Sequence, residues 1–524
     1  MKVDLKKSGL ENLGVDALVV FVSKRSAGKN SGKNAAKEAA KAGKKSTAAP
    51  EAPKATVEGV SKAIQAKIQG SLDDSSIGGS VNEAIMFRDS TVGGARHLIT
   101  IGLGDPKSMT HETLRQAAAT AVNHARSAKA RTLAIAMDTL PHNSLDANVV
   151  VQALTEGAHL ADYSFNEFKA SAKDVVQVEQ TYIVSTAKAK GHESGLDTGN
   201  TIASCVNFSR WLGDRPGNKM TPTILADETI KAAKNTKLKV SVWDKARIKN
   251  EKMGSFLSVS NGSSQEPKFI VMEYNGASNS KKPICFVGKG LTFDCGGISI
   301  KPAAGMEEMK YDMCGGANVI ATMIAIARLK LKINAIGLVP ATENLAGPAA
   351  TKPGDIVTAR NGKTIEVNNT DAEGRLILAD ALVYACEQNP SMIIDTATLT
   401  GAMVVALGNT HTGYFTRDND LSEQIEEAAE ASGEWIWRMP ITDYHVKDMK
   451  GTYADLSNIS SGKGAGSSTA AAFLEQFVSK DIPWAHFDIA GTGWHVGNRL
   501  PYCPSKGASG VMVRTFLQIA MAQA

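Results

Sequence analysis

The chain contains 524 residues, of which 43% are hydrophobic and 21% charged, and its formal net charge is +5. These values are typical of a globular protein and exclude a collagen-like or wholly disordered chain. The length is enough for two domains, because single cores stop growing near ~250–300 residues. No apolar run approaches the ~18 residues of a membrane-spanning helix, and the first residues lack the apolar core of a secretory signal. The six cysteines include no C-x-x-C pair, so the sequence predicts a cytoplasmic protein with no membrane contact.

The excess positive charge is confined to one segment. Lys24–Lys54 contains nine basic and two acidic residues, a net charge of +7, and the remaining 49 basic and 51 acidic residues leave −2. Residues 24–56 are rich in Ala and Lys and poor in large apolar side chains, so we predict a disordered insertion there. Two interpretations stay open: a solvated surface insertion, which we favour, or an arm that binds a polyanion such as nucleic acid.

Around this insertion, the first 190 residues alternate between short apolar runs and helical stretches. The strand candidates are Ala17–Val22, Ala84–Phe87, His97–Gly102, Thr132–Ala136 and Tyr182–Ser185, and the helix candidates are Glu112–Ala128 and Ala147–Phe168. Such alternation predicts a smaller N-terminal α/β domain with a parallel-type sheet. We predict that it spans residues 1–190 and that residues 191–214 form a connecting helix, since a Gly/Pro breaker cluster follows.

The second half repeats the alternation with stronger strands. The strand candidates are Leu238–Val242, Phe269–Tyr274, Ile284–Val287, Ala335–Val339, Met392–Asp395 and Ala485–Ile489. The helix candidates are Ala226–Lys234, Asn318–Leu331, Leu376–Gln388, Ser467–Val478 and Gly510–Ala522. Strands that are apolar throughout are typical of sheets buried on both faces, so we predict a larger C-terminal α/β domain whose central sheet is flanked by helices. Ligands bind such sheets at the carboxyl ends of the strands.

Candidate functional groups are concentrated in two segments of this half. The first, residues 287–313, places Lys289 and Asp294 in a Gly-flanked loop directly after a predicted strand, and Lys301 follows. Asp312 then precedes a Gly-Gly pair that opens a predicted helix. These positions match the expected binding edge of the sheet.

The second segment, residues 367–376, reads VNNTDAEGRL. Asp371, Glu373 and Arg375 alternate in it, so an extended backbone would direct all three side chains to one side. The pattern Asp-x-Glu-x-Arg by itself is more typical of a solvated surface stretch than of a site.

The carboxylates of the two segments favour hard divalent cations, since no His or C-x-x-C pair accompanies them. Four negative charges match two divalent ions, as in two-metal hydrolases. The positive charges of Lys301 and Arg375 would then remain beside the metals, where they suit an anionic tetrahedral intermediate or a bound anion. From the residues alone, the two-metal site and the solvated surface stretch both stay open.

The segments GKGLTFDCGGISIKP, KYDMCGG and above all NTDAEGRL resemble the signature segments of the cytosol (leucyl) aminopeptidase family, which are dinuclear metallo-exopeptidases. The similarity extends through RPGNKMTP, GLVPATENL, TATLTGA, FDIAGTGW and KGASG, and so spans essentially the whole second half. The first half shows only a compatible α/β pattern. The resemblance implies a catalytic domain over residues 215–524 and a metal-dependent aminopeptidase that releases bulky, neutral, Leu-like residues from short peptides.

The resemblance also implies the roles of individual residues. It assigns two divalent metal ions per subunit, Mn²⁺ or Zn²⁺, to the ligands Lys289, Asp294, Asp312, Asp371 and Glu373. Asp294 and Glu373 would be shared between the ions. The lysine matching Lys301 polarises the scissile carbonyl and stabilises the gem-diolate, and the arginine matching Arg375 holds a bicarbonate that relays a proton.

Substrate contacts and assembly are implied in the same way. Asn369 and Leu399 match contacts to the substrate backbone. The lining of the first side-chain pocket is matched by Met309, Thr398, Gly401 and Ala490. This lining is mostly apolar, which agrees with a Leu-like preference. The family forms hexamers of paired trimers, so the resemblance implies a homohexamer.

Three positions depart from the family pattern. Cys295 stands where Ser is usual, Cys314 where Gly is general, and Gly493 replaces a larger residue near the pocket rim, which predicts a broader or shifted preference. None of these changes removes a ligand or a catalytic group.

Two other functions remain as alternatives. One is a DNA-binding accessory protein that keeps the fold, supported only by Lys24–Lys54, and the other is a different dimetal hydrolase such as a phosphoesterase.

Overall fold

The computed structural model describes residues 1–24, 55–141, 145–170, 176–187, 190–497 and 499–524. The predicted insertion at residues 24–56 lies almost wholly outside the described residues, apart from its two ends. Its last two residues, Ala55–Thr56, form a short strand instead of continuing the predicted disorder. The chain divides into two compact units, Met1–Ala203 with Asn498–Cys503 and Ser204–Gly497 with Pro504–Ala524.

The first unit is built on a mainly parallel sheet. Its strands are β1 (Lys2–Lys7), β2 (Val15–Lys24), β3 (Ala55–Thr56), β4 (Ala84–Phe87), β5 (Ala95–Gly102), β6 (Thr132–Ala136) and β7 (Gln180–Ser185). Their order is β1-β7-β6-β2-β5-β4, with β3 beside β2, and only β3 and β4 are antiparallel to their neighbours. The helices are α1 (Lys62–Asp73), α2 (His111–Ser127), α3 (Ala147–Asp162) and α4 (His192–Asp214). The boundary between the units falls within α4.

A mixed sheet forms the centre of the second unit. The strands of this unit are β8 (Lys239–Trp243), β9 (Lys268–Asn275), β10 (Ile284–Gly288), β11 (Gly290–Asp294), β12 (Asn334–Asn344), β13 (Asp355–Thr358), β14 (Thr364–Val367), β15 (Met392–Ala397), β16 (Thr412–Phe415), β17 (Ile436–Arg438), β18 (Leu456–Ser457) and β19 (Trp484–Asp488). The main sheet has the order β17-β16-β19-β15-β10-β12-β9-β8, with β11 beside β12, and a small sheet has the order β13-β14-β18. The central neighbours β19, β15, β10 and β12 are parallel, whereas β9 and β16 are antiparallel to β12 and β19.

Helices pack against this sheet. They are α5 (Pro222–Ala233), α6 (Lys245–Asn250), α7 (Gly254–Ser260), α8 (Cys314–Arg328), α9 (Gly374–Glu387), α10 (Gly401–Leu407), α11 (Asn419–Ser432), α12 (Asp443–Lys447), α13 (Gly466–Glu475) and α14 (Val513–Ala522). The helical stretch Met306–Leu329 is, within the described residues, the one helix long and apolar enough to cross a membrane. Most of it is buried inside the chain, as expected for a core helix, and α8 is buried at every position except its last.

The central strands bring Lys289 of the first charged segment, together with three other polar residues, to one edge of the sheet. Because β10, β12, β15 and β19 are parallel, their carboxyl ends meet there. Lys289 follows β10, Asn344 ends β12, Thr398 follows β15 and Asp488 ends β19. The predicted fold class is confirmed, with two α/β units of which the C-terminal one is larger. Both sheets are mixed, and in the first one the antiparallel pair β4 and β5 is joined by a short connection, which needs no crossover helix.

Candidate active site

Lys289 lies at the centre of the cluster of charged side chains. It connects β10 to β11, and its backbone N–H donates to the Thr396 carbonyl at 3.0 Å. Its Nζ lies 2.8 Å from Asp312 Oδ2 and 2.9 Å from Glu373 Oε1, and it donates to the Thr398 carbonyl at 3.0 Å. A buried lysine is therefore surrounded by oxygen atoms from three separate segments.

Lys301 occupies a second position in the cluster. Its Nζ lies 2.8 Å from Asp294 Oδ2 and 2.6 Å from Asp371 Oδ1. Asp294 ends strand β11 instead of lying in the predicted loop, because residues 290–294 pair with β12. Its Oδ1 accepts hydrogen bonds from Gly296 N–H and Asn344 Nδ2, both at 2.8 Å. One oxygen of Asp294 is thus held by the chain and the other faces the cluster.

Asp312 lies in a 3-10 helical segment, Met306–Met313, directly before α8. Its Oδ1 accepts a hydrogen bond from Thr398 Oγ1 at 2.6 Å. The glycines after it allow α8 to approach the sheet, since a Cβ on Gly315 would lie 2.2 Å from the Thr396 carbonyl oxygen. This close packing places Asp312 beside the carboxyl ends of the central strands.

The segment that carries Asp371, Glu373 and Arg375 is not extended, so the condition under which all three side chains would point to one side is not met. Asp371 lies in a turn, where its N–H donates to Asn369 Oδ1 at 2.8 Å, and α9 begins at Gly374. Arg375 therefore belongs to the first turn of the helix. The two carboxylates converge because a turn runs directly into a helix, a change of backbone direction that spacing in the sequence does not show.

Burial raises the pKa of the three clustered aspartates. Burial, together with the charges of Glu373 and Asp312, raises the pKa of Asp294 to about 8. Burial also raises the pKa of Asp312 and that of Asp371 above their usual range. Carboxylates that are packed this closely require compensating cations to stay ionised together.

The neighbouring carboxylates raise the pKa of both lysines, which favours their charged form. Burial alone would lower the pKa of Lys289, but the charges of Asp312 and Glu373 outweigh it and raise that pKa above its ordinary value. The pKa of Lys301 is raised in the same way, against the effect of burial, by Asp294 and its neighbours. Burial lowers the pKa of Arg375 to about 10, which leaves it charged at neutral pH.

This arrangement fits divalent cations. One oxygen from each of Asp294, Asp371 and Glu373 lies within 4.8 Å of the others. Although lysine ammonium groups are near, Asp312 Oδ2, Asp371 Oδ1 and Glu373 Oε2 are buried without a well-directed hydrogen bond from any described residue. Buried carboxylate oxygens without donors are costly, and cations would satisfy them. The five predicted ligands, Lys289 included, lie in this one cluster.

Gly374 makes room for Lys289. A Cβ added there would lie 2.6 Å from Lys289 Nζ and 2.7 Å from its Cε. We expect Gly374→Ala to fold, because the clash is with the end of a flexible side chain and Ala favours a helix. Displacing Lys289 should weaken Mn²⁺ binding by about 10–100-fold in isothermal titration calorimetry. Gly70→Ala in α1 is the matched control, since an added Cβ there meets nothing within 4 Å. Unchanged Mn²⁺ affinity in Gly374→Ala would contradict the expectation.

The predicted substrate residues lie near the same edge of the sheet. Thr398 and Leu399 follow β15, Ala490 follows β19, and Gly401 begins α10. Met309 belongs to the 3-10 segment that carries Asp312, and Asn369 begins the turn that carries Asp371. Thr398 and Ala490 are buried, Gly401 is exposed, and Met309, Asn369 and Leu399 are half-buried.

Three buried polar residues of the site were not predicted from the sequence: Asn344, Asn458 and Asp488. Asn344 holds Asp294, as described above. Asp488 Oδ1 accepts hydrogen bonds from the N–H groups of Leu399 and Ala490, each at 3.1 Å. It thus connects two segments of the chain that carry predicted substrate contacts. Asn344 and Asp488 each end a strand, which is a signal the sequence offered, whereas no pattern in the sequence distinguishes Asn458.

The departures from the family pattern lie close to these groups. Burial raises the pKa of the Cys314 thiol well above its ordinary value, so the reactive thiolate is disfavoured. A Cβ on Gly493 would lie 3.3 Å from Thr398 Cγ2 and 3.7 Å from Cys314 Cβ. The nearest atom is the Ile489 carbonyl oxygen at 3.0 Å, so a side chain at position 493 would crowd its neighbours.

Comparisons with known proteins agree with this site. Residues 207–517 match the model of the cytosol aminopeptidase family, catalytic domain, and residues 39–172 match that of the cytosol aminopeptidase family, N-terminal domain. A probable cytosol aminopeptidase of Bdellovibrio bacteriovorus is 62% identical over 451 residues, which cover 86% of this chain and 90% of the relative. One of Paraburkholderia xenovorans is 41% identical over 435 residues, 82% of this chain and 84% of the relative.

Solved structures give the same result. A mutant of tomato leucine aminopeptidase is similar with a TM-score of 0.84 and 31% identity, and the match covers 100% of this chain and 96% of that one. The bottromycin maturation enzyme BotP in complex with Mn has a TM-score of 0.80 and 28% identity, over 97% of this chain and 99% of that one. The resemblance stated from the sequence is confirmed. The chain therefore belongs to the cytosol aminopeptidase family and is a metal-dependent aminopeptidase.

Proposed function

We propose that the chain hydrolyses the N-terminal peptide bond of short peptides with two divalent cations per subunit. The catalytic domain would span residues 215–524, and the ligands are Lys289, Asp294, Asp312, Asp371 and Glu373. The observation that carries the proposal is the cluster of four carboxylates, in which oxygens of Asp294, Asp371 and Glu373 lie within 4.8 Å of one another and Glu373 Oε2 is buried without a donor among the described residues. The Mn complex of BotP supports Mn²⁺, and an oxygen-rich site with one amine also suits Zn²⁺.

Divalent cations bound there supply Lewis-acid chemistry, since they polarise a carbonyl and lower the pKa of water towards neutrality. The residues of the chain fix where that chemistry occurs. Asp294 and Glu373, which lie 2.8 and 2.9 Å from the Nζ atoms of Lys301 and Lys289, would be shared between the ions, as the family resemblance implies. Lys289 must release its proton to become a ligand, and Thr398 holds Asp312 in place.

Lys301 and Arg375 would act on the negative charge that develops during hydrolysis. Lys301 would act as a cation that polarises the scissile carbonyl and stabilises the oxyanion. Arg375 Nη1 donates to the Asn458 carbonyl at 2.7 Å, and its Nε has no acceptor among the described residues. This unused donor suits a bicarbonate, which would relay the proton of the attacking water.

We propose a preference for Leu-like, bulky neutral N-terminal residues. Asn369 and Leu399 would bind the substrate backbone, and the side-chain pocket would be lined by Met309, Thr398, Gly401 and Ala490. Apart from the Thr398 hydroxyl, which already donates to Asp312, this lining offers no polar side chain to an incoming substrate.

A panel of aminoacyl anilides tests this preference. We expect kcat/KM for the Leu anilide to exceed those for the Asp and Lys anilides by about a hundredfold or more, because an apolar pocket leaves a charged side chain unpaired. N-acetyl-leucine anilide should not be hydrolysed, since the site must bind a free α-amine. Equal hydrolysis of the acetylated and free substrates would contradict an aminopeptidase, and a higher kcat/KM for Asp or Lys would contradict the preference alone.

The proposed assembly is a cytoplasmic homohexamer. Large apolar side chains are exposed in the second unit, with Val405 at 89%, Trp437 at 60% and Trp435 at 50% exposure, which supports contact between copies. The alternative of a DNA-binding accessory protein rests on Lys24–Lys54, nearly all of which lies outside the described residues. We therefore propose that the binding partners of the chain are peptide substrates, not nucleic acid.

A further inference from the structure

Asn458 lies beside the turn that carries the metal ligands, although it is far from that turn in sequence. It directly follows β18, which pairs in parallel with β14, and β14 leads into the turn with Asp371. The N–H of Asn458 donates to the Glu366 carbonyl at 2.9 Å, which extends this pairing by one residue. Asn458 is fully buried. The register of the small sheet thus fixes its position.

Both ends of the Asn458 amide bind the backbone of that turn. Its Oδ1 accepts hydrogen bonds from the N–H groups of Asn368 at 2.8 Å and Asn369 at 3.2 Å. Its Nδ2 donates to the carbonyl of Asn369 at 2.6 Å and points to that of Ala372 at 3.4 Å. The position requires a donor and an acceptor on one short side chain, which Asn supplies and Asp or Ala does not.

The backbone of Asn458 also holds the arginine of the site. Its carbonyl accepts the hydrogen bond from Arg375 Nη1 at 2.7 Å. Arg375 is buried and its Nε has no acceptor among the described residues, so this contact directs the guanidinium group. One residue therefore contacts the start of the turn, its middle and the arginine that follows it.

We propose that Asn458 is a positioning residue that fixes the backbone carrying Asp371 and Glu373 and that directs Arg375. The inference rests on the proposed function, because it uses the metal and anion roles given to these three residues. Asn458 acts only through them. Groups that support metal ligands in this way typically change metal affinity or activity by about 10–100-fold when they are altered.

The test is an isosteric change with a matched control elsewhere in the chain. Asn458→Asp keeps the volume but replaces the Nδ2 donor with an oxygen that faces two carbonyls. Asn334, at the end of β12 away from the site, is also buried and makes the same kind of contacts. Its Nδ2 donates to the Ser278 and Lys281 carbonyls at 2.7 and 2.8 Å, and its Oδ1 accepts from Ala277 N–H at 3.1 Å. Asn334→Asp therefore introduces the same conflict at a distance from the ligands.

We expect Asn458→Asp to lower the affinity of the chelated protein for Mn²⁺, measured by calorimetry, by about 10–100-fold. With saturating Mn²⁺, kcat for the Leu anilide should fall by a similar factor, since the turn with Asp371 and Glu373 loses a donor to the Asn369 carbonyl. Asn334→Asp should lower Tm without either effect. If Asn458→Asp does not fold, Asn458→Ser, which is neutral and too short to reach the turn, should give the same losses.

Two results would overturn the inference. One is a folded Asn458 variant whose Mn²⁺ affinity and kcat both lie within about threefold of wild type, well below the usual effect of a supporting group. The other is an Asn334→Asp protein with the same losses, which would show a general effect of destabilisation. Failure of the proposed function itself would be seen separately, as hydrolysis that survives the loss of Asp371 or Glu373.

Discussion

Glu373→Gln and Asp371→Asn should each lower kcat by about a hundredfold or more, because changing a ligand costs more than the 10–100-fold typical of its supporting groups. An amide has nearly the volume of the carboxylate but carries no charge, so it weakens cation binding without opening a cavity. Asp371→Asn weakens the ion pair with Lys301 and Glu373→Gln that with Lys289, whereas Glu373 Oε2 has no donor among the described residues to lose. Both variants should keep the wild-type fold.

Asp380→Asn is the matched control for these variants. Asp380 lies in the same helix as Arg375, is fully buried, and accepts hydrogen bonds from the N–H groups of Phe256 and Arg360 at 2.8 and 2.7 Å. Its amide variant should lower Tm and leave the Mn²⁺ content unchanged. A Glu373→Gln or Asp371→Asn protein that keeps about a tenth or more of wild-type kcat with full metal occupancy would contradict the ligand assignment.

Lys289→Arg should remove one metal ion per chain, whereas Lys301→Arg should keep both. A lysine ligates a metal only as a neutral amine, so cations must drive its pKa down from about 10.4. Arginine does not deprotonate in proteins. In the native chain, Lys289 Nζ lies 2.8 Å from Asp312 Oδ2 and 2.9 Å from Glu373 Oε1. Lys289→Arg would therefore fix a positive charge at this ligand position.

Elemental analysis of the purified variants measures this difference. Lys301 works as a cation, so Lys301→Arg keeps the charge but moves the donor, and kcat should fall with both ions retained. Lys289→Arg should lose activity together with one ion. Two ions in Lys289→Arg, or one in Lys301→Arg, would reverse the roles of these two lysines.

The residues of the cluster could be predicted because they lie in short segments that resemble signature segments of the family, whereas their composition alone left a solvated surface stretch open. Lys289 follows an apolar strand, and parallel strands bring such residues to one edge. The conformation of residues 369–375 could not be predicted from alternation, because the Asn369 side chain favours a turn and Gly374 begins a helix. Local hydrogen bonds of this kind compete with the extended backbone that alternation assumes.

The supporting groups were harder to predict because tertiary structure brings them to the site. Asn458 reaches the turn through the pairing of β14 with β18, strands of only four and two residues that carry no strong periodic signal. Asp488 joins the loops after β15 and β19, which are neighbours only in the folded sheet. Neither contact is encoded within one segment, so spacing along the chain gives no indication of it.

The most direct test of the two-metal account is a titration of the chelated protein with Mn²⁺. Hydrolysis of the Leu anilide and the bound Mn²⁺ per chain would be measured on the same samples. The account predicts that the chelated protein is inactive and that activity reaches its maximum only as occupancy approaches about two ions per chain. Hydrolysis at the wild-type rate by protein holding fewer than about 0.1 ions per chain would contradict it, because the carboxylate cluster would then have no cation to hold.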